Sequence, residues 1–166
     1  MTPKGPTVEA KQPGDIEDRE GVPFVGPAGR LLDRALDEAG LPRENTYLTN
    51  AVKHFRFTQR GKRRIHEKPD LGHLSACKPW LDAELAEVDP RLVVVMGATA
   101  ARAVLGPGIK VTKQRGEILI MDTTRGERRF MATVHPSSIL RARGDREVAY
   151  QALVDDLRVA AGVVGL

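Results

Sequence analysis

Seven basic residues lie between positions 53 and 68 and form the strongest chemical signal in the chain. Only one acidic residue, Glu67, interrupts them, and Phe55 and Phe57 are interleaved with the cations. Because cations neutralise phosphates and aromatic faces stack on unpaired bases, the pattern favours contact with a nucleic acid. A solvated surface loop is the alternative. The basic residues are Lys53, Arg56, Arg60, Lys62, Arg63, Arg64 and Lys68.

Two histidines lie at positions where a side chain could take part in a reaction. His66 ends the sequence KRRIH, where neighbouring cations favour a neutral imidazole, the form that acts as a nucleophile, base or ligand. Phosphate binding is its other possible role. His135, in VHPSS, follows an apolar segment, and a histidine at a strand end can donate to a developing anion. Ser137 and Ser138 either offer donors to phosphate or begin a short helix beside a packed His135.

An amide and a thiol complete the set of candidate side chains. Asn50 lies at the end of a predicted strand, and its amide can donate to and accept from one flat ligand. A hydrogen bond to nearby backbone is the alternative. Cys77 and His73 are four residues apart on a predicted helix, and His54 is a third possible ligand. The three residues could bind a metal ion. Alternatively, Cys77 is a buried, inert thiol and the two histidines have no part in a site.

Alternating strands and helices must position these side chains. The pattern predicts an α/β fold, a three-layer α/β/α sandwich with a mostly parallel sheet. Residues 1–11 predict an extended arm or a weak strand, residues 53–69 predict a long loop, and Pro79 predicts a kink or break. The predicted strands are 46–52, 91–97, 117–122 and 129–134. The predicted helices are 27–40, 71–88, 98–105 and 145–161, and Asp70 is expected to cap the second of them. In the last helix, Val148, Leu153, Leu157 and Val159 or Ala160 are expected to face inward.

The composition excludes several classes of protein. The 166 residues carry a net charge of +4 and one cysteine, and this length is typical of one domain. One cysteine excludes a disulfide scaffold and a four-cysteine metal cage within the chain. No apolar run approaches the roughly 18 residues that a spanning helix needs, and the N-terminus lacks the apolar stretch of a signal peptide. We therefore expect a cytoplasmic protein without a membrane partner.

Several segments, taken together, resemble the uracil-DNA glycosylase superfamily from about Gln12 to Val159. Within it the chain most resembles UdgX-like proteins, relatives of the iron–sulfur family 4 enzymes, because it carries KRRIH. The resemblance implies a uracil-DNA glycosylase fold with a four-stranded, mostly parallel sheet between helices. It also implies a uracil flipped out of DNA or taken from a single strand. The matching segments are QPGDIED, GVPFVGPAGRLL, TNAVKH, KRRIH, ACKPWL, VVVMGATAA, TVHPSS and LVDDLR.

The resemblance also implies roles for individual residues. Phe24 would stack on uracil, and Asn50 would accept from its N3–H and donate to its O4. His135 would stabilise negative charge on O2 as the glycosidic bond breaks. His66 would then attack the sugar C1′ and join the protein covalently to the DNA. Gln12 and Asp15 would flank C1′, and the predicted DNA contacts are Lys62, Arg63, Arg64, Ser137 and Ser138.

Three features depart from the family pattern. Lys11 stands where the family has a carboxylate; a cation there opposes the positive charge of the sugar and would remove about 2–4 kcal/mol of transition-state stabilisation. Residues 4–10 make a poor central strand. Cys77 and His54 match two of the four ligands of the family's [4Fe–4S] cluster, too few to hold it. We therefore expect an N-terminal arm over 1–11 and a glycosylase-like domain over 12–166 that is truncated or divergent at its start.

The leading hypothesis is a monomeric uracil-DNA glycosylase that acts on single-stranded DNA and forms a covalent adduct through His66. Hydrolytic release of uracil without an adduct is the alternative within the same chemistry. A catalytically impaired DNA-binding paralogue is a second class of protein, favoured by Lys11 and the missing cysteines. A small metal-binding α/β protein that uses His73 and Cys77 is a third.

Overall fold

The computed structural model describes residues 7–10, 15–53, 57–66 and 70–166. Within them the chain forms seven strands, seven α-helices and a 3-10 turn at Arg43–Asn45. The strands are β1 (Thr7–Ala10), β2 (Tyr47–Asn50), β3 (Phe57–Arg60), β4 (Arg63–His66), β5 (Val93–Met96), β6 (Ile118–Thr123) and β7 (Gly126–Thr133). The helices are α1 (Asp15–Glu20), α2 (Pro27–Glu38), α3 (Leu71–Val88), α4 (Ala98–Leu105), α5 (Val111–Gln114), α6 (Pro136–Leu140) and α7 (Arg146–Val164).

Five of these strands form one sheet in the order β2-β1-β5-β7-β6. β2, β1, β5 and β7 are parallel to their neighbours, whereas β6 pairs antiparallel with β7 at the edge. The predicted α/β fold is confirmed. The sheet of the described residues has five strands where four were expected, because the segment assigned to an arm or weak strand adds β1 to the four predicted strands.

β1 comes from the segment that the sequence assigns to an N-terminal arm or a weak strand. It lies between β2 and β5, and Thr7 is in register with both Tyr47 and Val93. The local sequence favours a strand only weakly, so hydrogen bonds to a neighbour on each side must stabilise it. The predicted domain boundary at residue 12 stays a prediction.

β5 separates two apolar clusters, one on each face of the sheet. All four of its residues are fully buried. Val94 and Met96 face a cluster that includes residues of α2, α6 and α7. Val93 and Val95 face a cluster that includes residues of α3, α4 and α5. Because alternate strand residues point to opposite faces, helices cover both sides of the sheet in three layers.

Helices α3 and α7 differ from the predictions in detail. α3 runs through Pro79 without a break, and Asp70 caps its first turn by accepting from the backbone N–H of His73 at 3.0 Å. α7 extends to Val164. Leu153 and Leu157 are buried as predicted, and of the alternatives Val159 and Ala160 it is Ala160 that faces inward, whereas Val148 is exposed. No helix among the described residues is long and apolar enough to cross a membrane.

The segment predicted as a loop contains a β-hairpin, so that prediction is wrong for residues 57–66. β3 and β4 pair antiparallel, with Phe57 opposite His66 and Arg60 opposite Arg63. They form a two-stranded sheet separate from the main one. Its strands are short and mostly polar, so they lack the apolar alternation by which strands are recognised in a sequence.

A close approach fixes α2 against the segment that precedes it. Phe24 has a φ of 59°, in the left-handed region. A Cβ on Gly29 would lie 1.8 Å from the carbonyl oxygen of Phe24. Only a residue without a side chain therefore fits at position 29.

A buried carboxylate joins α7 to the sheet. Asp156 is 9% exposed and accepts hydrogen bonds from the Thr133 hydroxyl at the end of β7 and from Arg115 Nε at 2.9 Å. Arg115 Nη2 lies 2.8 Å from the same carboxylate oxygen. This contact ties the helix to the strand that leads into His135.

We expect Gly29→Ala to lower the free energy of unfolding by about 1–3 kcal/mol, because the added methyl group overlaps Phe24. Gly162→Ala is the matched control, since Gly162 is an exposed helical glycine with no atom within 4 Å of an added Cβ. It should raise stability by about 0.5–1 kcal/mol. Urea titrations measure both; equal effects of the two substitutions would contradict the close approach.

Asp156→Ala should lower the free energy of unfolding by about 3–5 kcal/mol, because it leaves a half-buried guanidinium and a buried hydroxyl without their acceptor. The neighbouring Asp155→Ala is the control, since Asp155 pairs with Arg158 on the exposed side of α7. That change should cost at most about 1 kcal/mol. Thermal melts of the two variants test the comparison, and a loss for Asp155→Ala as large as for Asp156→Ala would refute it.

Candidate active site

Two candidate residues and one glycine lie at the carboxyl ends of parallel strands. Asn50 ends β2, Gly97 follows β5, and His135 follows β7 by two residues. Parallel strands end at the same edge of a sheet, where α/β proteins commonly place their ligands. The topology therefore brings residues from distant parts of the sequence to one side of the molecule.

The His135 ring has a defined tautomer. Its Nδ1 accepts a hydrogen bond from the backbone N–H of Ser137 at 3.1 Å, and the Ser137 hydroxyl lies 2.8 Å from the same nitrogen. Because a backbone N–H can only donate, Nδ1 carries no proton. The neutral ring then holds its proton on Nε2 and presents an N–H donor.

Phe24 stacks on His135. The ring centroids are 6.0 Å apart and the ring planes differ by 20°. His135 also lies close to the backbone of Gly97, where an added Cβ would be 3.1 Å from the histidine Cβ. Phe24 is buried, and a left-handed backbone in a bulky residue costs about 1–3 kcal/mol. Backbone strain of this kind is found at ligand sites held by their surroundings.

Two side chains hold the segment around Phe24. Glu17 of α1 accepts from the backbone N–H of Gly26 at 3.2 Å. Arg43 donates to the carbonyl oxygen of Pro23 at 3.4 Å and also pairs with Asp33 of α2. The segment is therefore tied to α1 and α2 on either side of the aromatic ring.

Asn50 is buried and lies on the same side of the sheet as Phe24. In a strand, alternate residues share a face, and Leu48 packs against the cluster that contains Phe24. Asn50 also lines a cavity of about 370 Å³, together with residues of α1, the segment before Phe24, β2 and α3. Neither Phe24 nor His135 lines that cavity.

Sequence reasoning missed a polar cluster beside Asn50. Lys53 Nζ lies 2.6 Å from Glu84 Oε2 and 2.8 Å from Thr49 Oγ1, and the Thr49 hydroxyl donates to the same Glu84 oxygen at 2.7 Å. Burial raises the pKa of Tyr47, and the negative charge of Glu84 raises it further. Glu84 lies on a helix 31 residues after Lys53, so no local pattern in the sequence could pair them.

The β3–β4 hairpin is tied to α1 by one of its predicted DNA-binding residues. Arg64 Nη2 lies 2.5 Å from Asp18 Oδ2, and both side chains are about one-fifth exposed. Arg64 therefore anchors the hairpin beside the helix that begins with Asp15. Arg60, Lys62 and Arg63 are exposed near the hairpin turn, and no carboxylate in the described part of the chain pairs with them.

The two serines of VHPSS make local contacts around α6. His135 is the N-cap residue of this helix, Ser137 contacts its ring, and the Ser138 hydroxyl donates to its carbonyl oxygen at 2.7 Å. Contact of these serines with DNA stays a prediction.

Several predicted site residues lie outside the described part of the chain. They are Lys11, Gln12 and His54 in full, and the side chains of Asp15 and His66. Asp15 is the first residue of α1 and His66 is the last of β4. The roles assigned to them stay predictions.

The donor set of this chain does not fit a [4Fe–4S] cluster. Cys77 is a half-buried free thiol and the only cysteine in the sequence, whereas such a cluster takes four ligands. Among the described residues, no group of three or more His, Cys, Asp or Glu side chains is placed to hold a metal ion. His73, the predicted partner of Cys77, instead has Nδ1 2.5 Å from Asp70 Oδ1.

Comparison with known proteins identifies the family of the chain. Residues 10–158 match the Uracil DNA glycosylase superfamily. A type-4 uracil-DNA glycosylase of Thermotoga maritima is 35% identical over 134 residues, which cover 80% of this chain and 65% of the relative. One from Sulfurisphaera tokodaii is 32% identical over 133 residues, 77% of this chain and 57% of the relative. One from Saccharolobus solfataricus is 37% identical over 86 residues, 51% of this chain and 37% of the relative.

The chain thus spans less than two thirds of the length of these curated relatives. The superfamily match, in contrast, extends from Ala10, the last residue of β1, to Arg158 in α7 and includes every candidate residue discussed above. On this match, the chain belongs to the uracil-DNA glycosylase superfamily.

Proposed function

We propose that the protein removes uracil from single-stranded DNA and then becomes covalently attached to the sugar through His66. The main support is the geometry of His135, whose Nδ1 accepts from the Ser137 backbone and whose ring stacks beside Phe24. This arrangement combines an N–H donor with an aromatic surface at the sheet edge where Asn50 also lies. A planar base that leaves as an anion needs these groups.

Recognition of the base is assigned to Phe24 and Asn50. The buried ring of Phe24 offers a stacking surface, and the backbone on either side of it is held by hydrogen bonds at Pro23 and Gly26. The Asn50 amide would accept from N3–H and donate to O4 of uracil. Cytosine presents the opposite pattern at these two atoms, so one fixed amide orientation favours uracil.

Cleavage of the glycosidic bond is assigned to His135. As the bond between C1′ and N1 breaks, its electron pair moves to the uracil ring and negative charge develops on O2. The Nε2–H group of His135 would donate a hydrogen bond to that oxygen. One fixed donor of this kind is worth about 100- to 1000-fold in rate.

The adduct step is assigned to His66 through the placement of the hairpin. Arg64 pairs with Asp18 of α1, and position 66 is on the same face of β4 as position 64. In this step the lone pair of a neutral His66 ring nitrogen forms a bond to the electron-poor C1′, and the ring then loses its other proton to water. Attack by water instead would give an abasic site and no adduct.

The exposed cations of the hairpin support DNA as the substrate. Arg60, Lys62 and Arg63 are exposed cations that would neutralise phosphates of the bound strand. We favour single-stranded DNA because an unpaired uracil enters a pocket without the cost of breaking a base pair.

Wild-type protein incubated with a uracil-containing single strand should release uracil and form a complex that survives denaturation. His66→Ser should abolish the complex and keep uracil release, because only the nucleophile is lost. A denaturing gel and base-release assay measure both, with a thymine-containing strand as control.

Each other outcome selects an alternative. Release of uracil by the wild type without a complex would show ordinary hydrolysis. Neither release nor complex, with binding that weakens steeply with salt, would show a DNA-binding paralogue without activity. A complex that persists in His66→Ser would assign the nucleophile to another residue.

His135→Ala should slow uracil release by about 100- to 1000-fold while DNA affinity changes little, because the donor is lost and the hairpin cations remain. His73→Ala is the matched control, since His73 is an exposed histidine that contacts Asp70 on α3. Its release rate should equal that of the wild type. Single-turnover release with excess protein measures the rates, and an unchanged rate in His135→Ala would remove this residue from the mechanism.

A further inference from the structure

A closed triangle of polar contacts lies beside Asn50. Lys53 donates to both Thr49 and Glu84, and Thr49 donates to Glu84, at distances between 2.6 and 2.8 Å. Both acceptor contacts of Glu84 use the same oxygen, Oε2. The Lys53 and Glu84 side chains are 23% and 29% exposed, and Thr49 is buried, so water screens these contacts less than it screens a surface ion pair.

The triangle brackets Asn50 in the sequence. Thr49 directly precedes it and Lys53 follows it by three residues, with buried Ala51 and Val52 between them. Thr49 and Asn50 are consecutive in β2 and so belong to opposite faces of the strand. Glu84 of α3 therefore holds the residue next to Asn50, and Glu84 and Asn50 line the same cavity.

We propose that Glu84 is a positioning residue that fixes the orientation of Asn50 for recognition of the base. This inference rests on the proposed function, because it assigns Asn50 the role of reading uracil. Glu84 touches neither the base nor the sugar in this proposal. It acts by holding both ends of the segment 49–53 to one carboxylate oxygen on a neighbouring helix.

The physical basis is the cost of a small displacement. An amide distinguishes uracil only when its oxygen and nitrogen point at the correct edge atoms, and a misplacement of about 1 Å can cost about 100-fold in rate. Without the Glu84 charge, the half-buried Lys53 ammonium lacks its anion and moves toward water. The hydrogen bond from the Thr49 hydroxyl to Glu84 Oε2 at 2.7 Å shows that the carboxylate lies against β2.

Glu84→Gln tests the role by removing the charge and keeping the shape. We expect the single-turnover rate of uracil release to fall about 10- to 100-fold, with DNA affinity within about twofold of the wild type. Asp82→Asn is the matched control, because it removes a carboxylate from the same helix where Asp82 pairs with exposed Lys78. The rate of Asp82→Asn should match that of the wild type. A wild-type rate in Glu84→Gln would refute the proposal.

A double-mutant cycle separates positioning from general destabilisation. In an Asn50→Ala background, Glu84→Gln should change the rate by less than about twofold, because Glu84 has no amide left to orient. Long single-turnover incubations with excess protein measure these slow rates. Equal fold losses in both backgrounds would show that Glu84 acts independently of Asn50.

A spectroscopic readout keeps this inference separate from the proposed function. The side-chain amide signal of Asn50 in a 15N-labelled sample is assigned by its absence in Asn50→Asp. It should shift in Glu84→Gln and stay in place in Asp82→Asn. A shift without any uracil release by the wild type would refute the proposed function alone, and release by the wild type with an unmoved signal would refute the role of Glu84.

Discussion

Complete burial of β5 is the constraint on which the rest of the molecule depends. Its four residues contribute side chains alternately to the two apolar clusters, so helices must cover both faces of the sheet. Its backbone groups need partners on both edges, and β1 and β7 supply them. Once three neighbouring strands are parallel, their carboxyl ends form one edge, and the candidate site residues lie along it.

The side chains at that edge are held by contacts from other elements more than by their own strands. The position of Phe24 depends on the absence of a side chain at Gly29, and the His135 ring is oriented by the Ser137 backbone. Asn50 depends on the triangle of Thr49, Lys53 and Glu84 beside it. Each contact fixes a direction as well as a position. A site that discriminates between similar bases needs this rigidity, because its selectivity comes from the geometry of a few hydrogen bonds.

The sequence predicts those parts of the fold whose signals are local. The apolar run at β5, the Asp70 cap of α3 and the alternation of elements all agree with the structure. β1 and the hairpin of β3 and β4 are different, since each is stabilised by partners and carries little apolar pattern of its own. In the site, Asn50 and His135 could be predicted because they lie at the ends of recognisable strands. The contacts of Lys53 with Glu84 and of Arg64 with Asp18 could not, because they join residues far apart in the chain.

Arg60 and Arg63 face each other across the hairpin, with Lys62 in the turn between their strands. Like charges directly opposite one another destabilise an antiparallel pair, and an anion between them removes the repulsion. Hairpin order and anion binding are therefore linked thermodynamically: an anion that favours the ordered hairpin is itself bound more tightly by it. Since β4 ends at His66, an anion bound at the hairpin turn would also stabilise the strand that carries the proposed nucleophile.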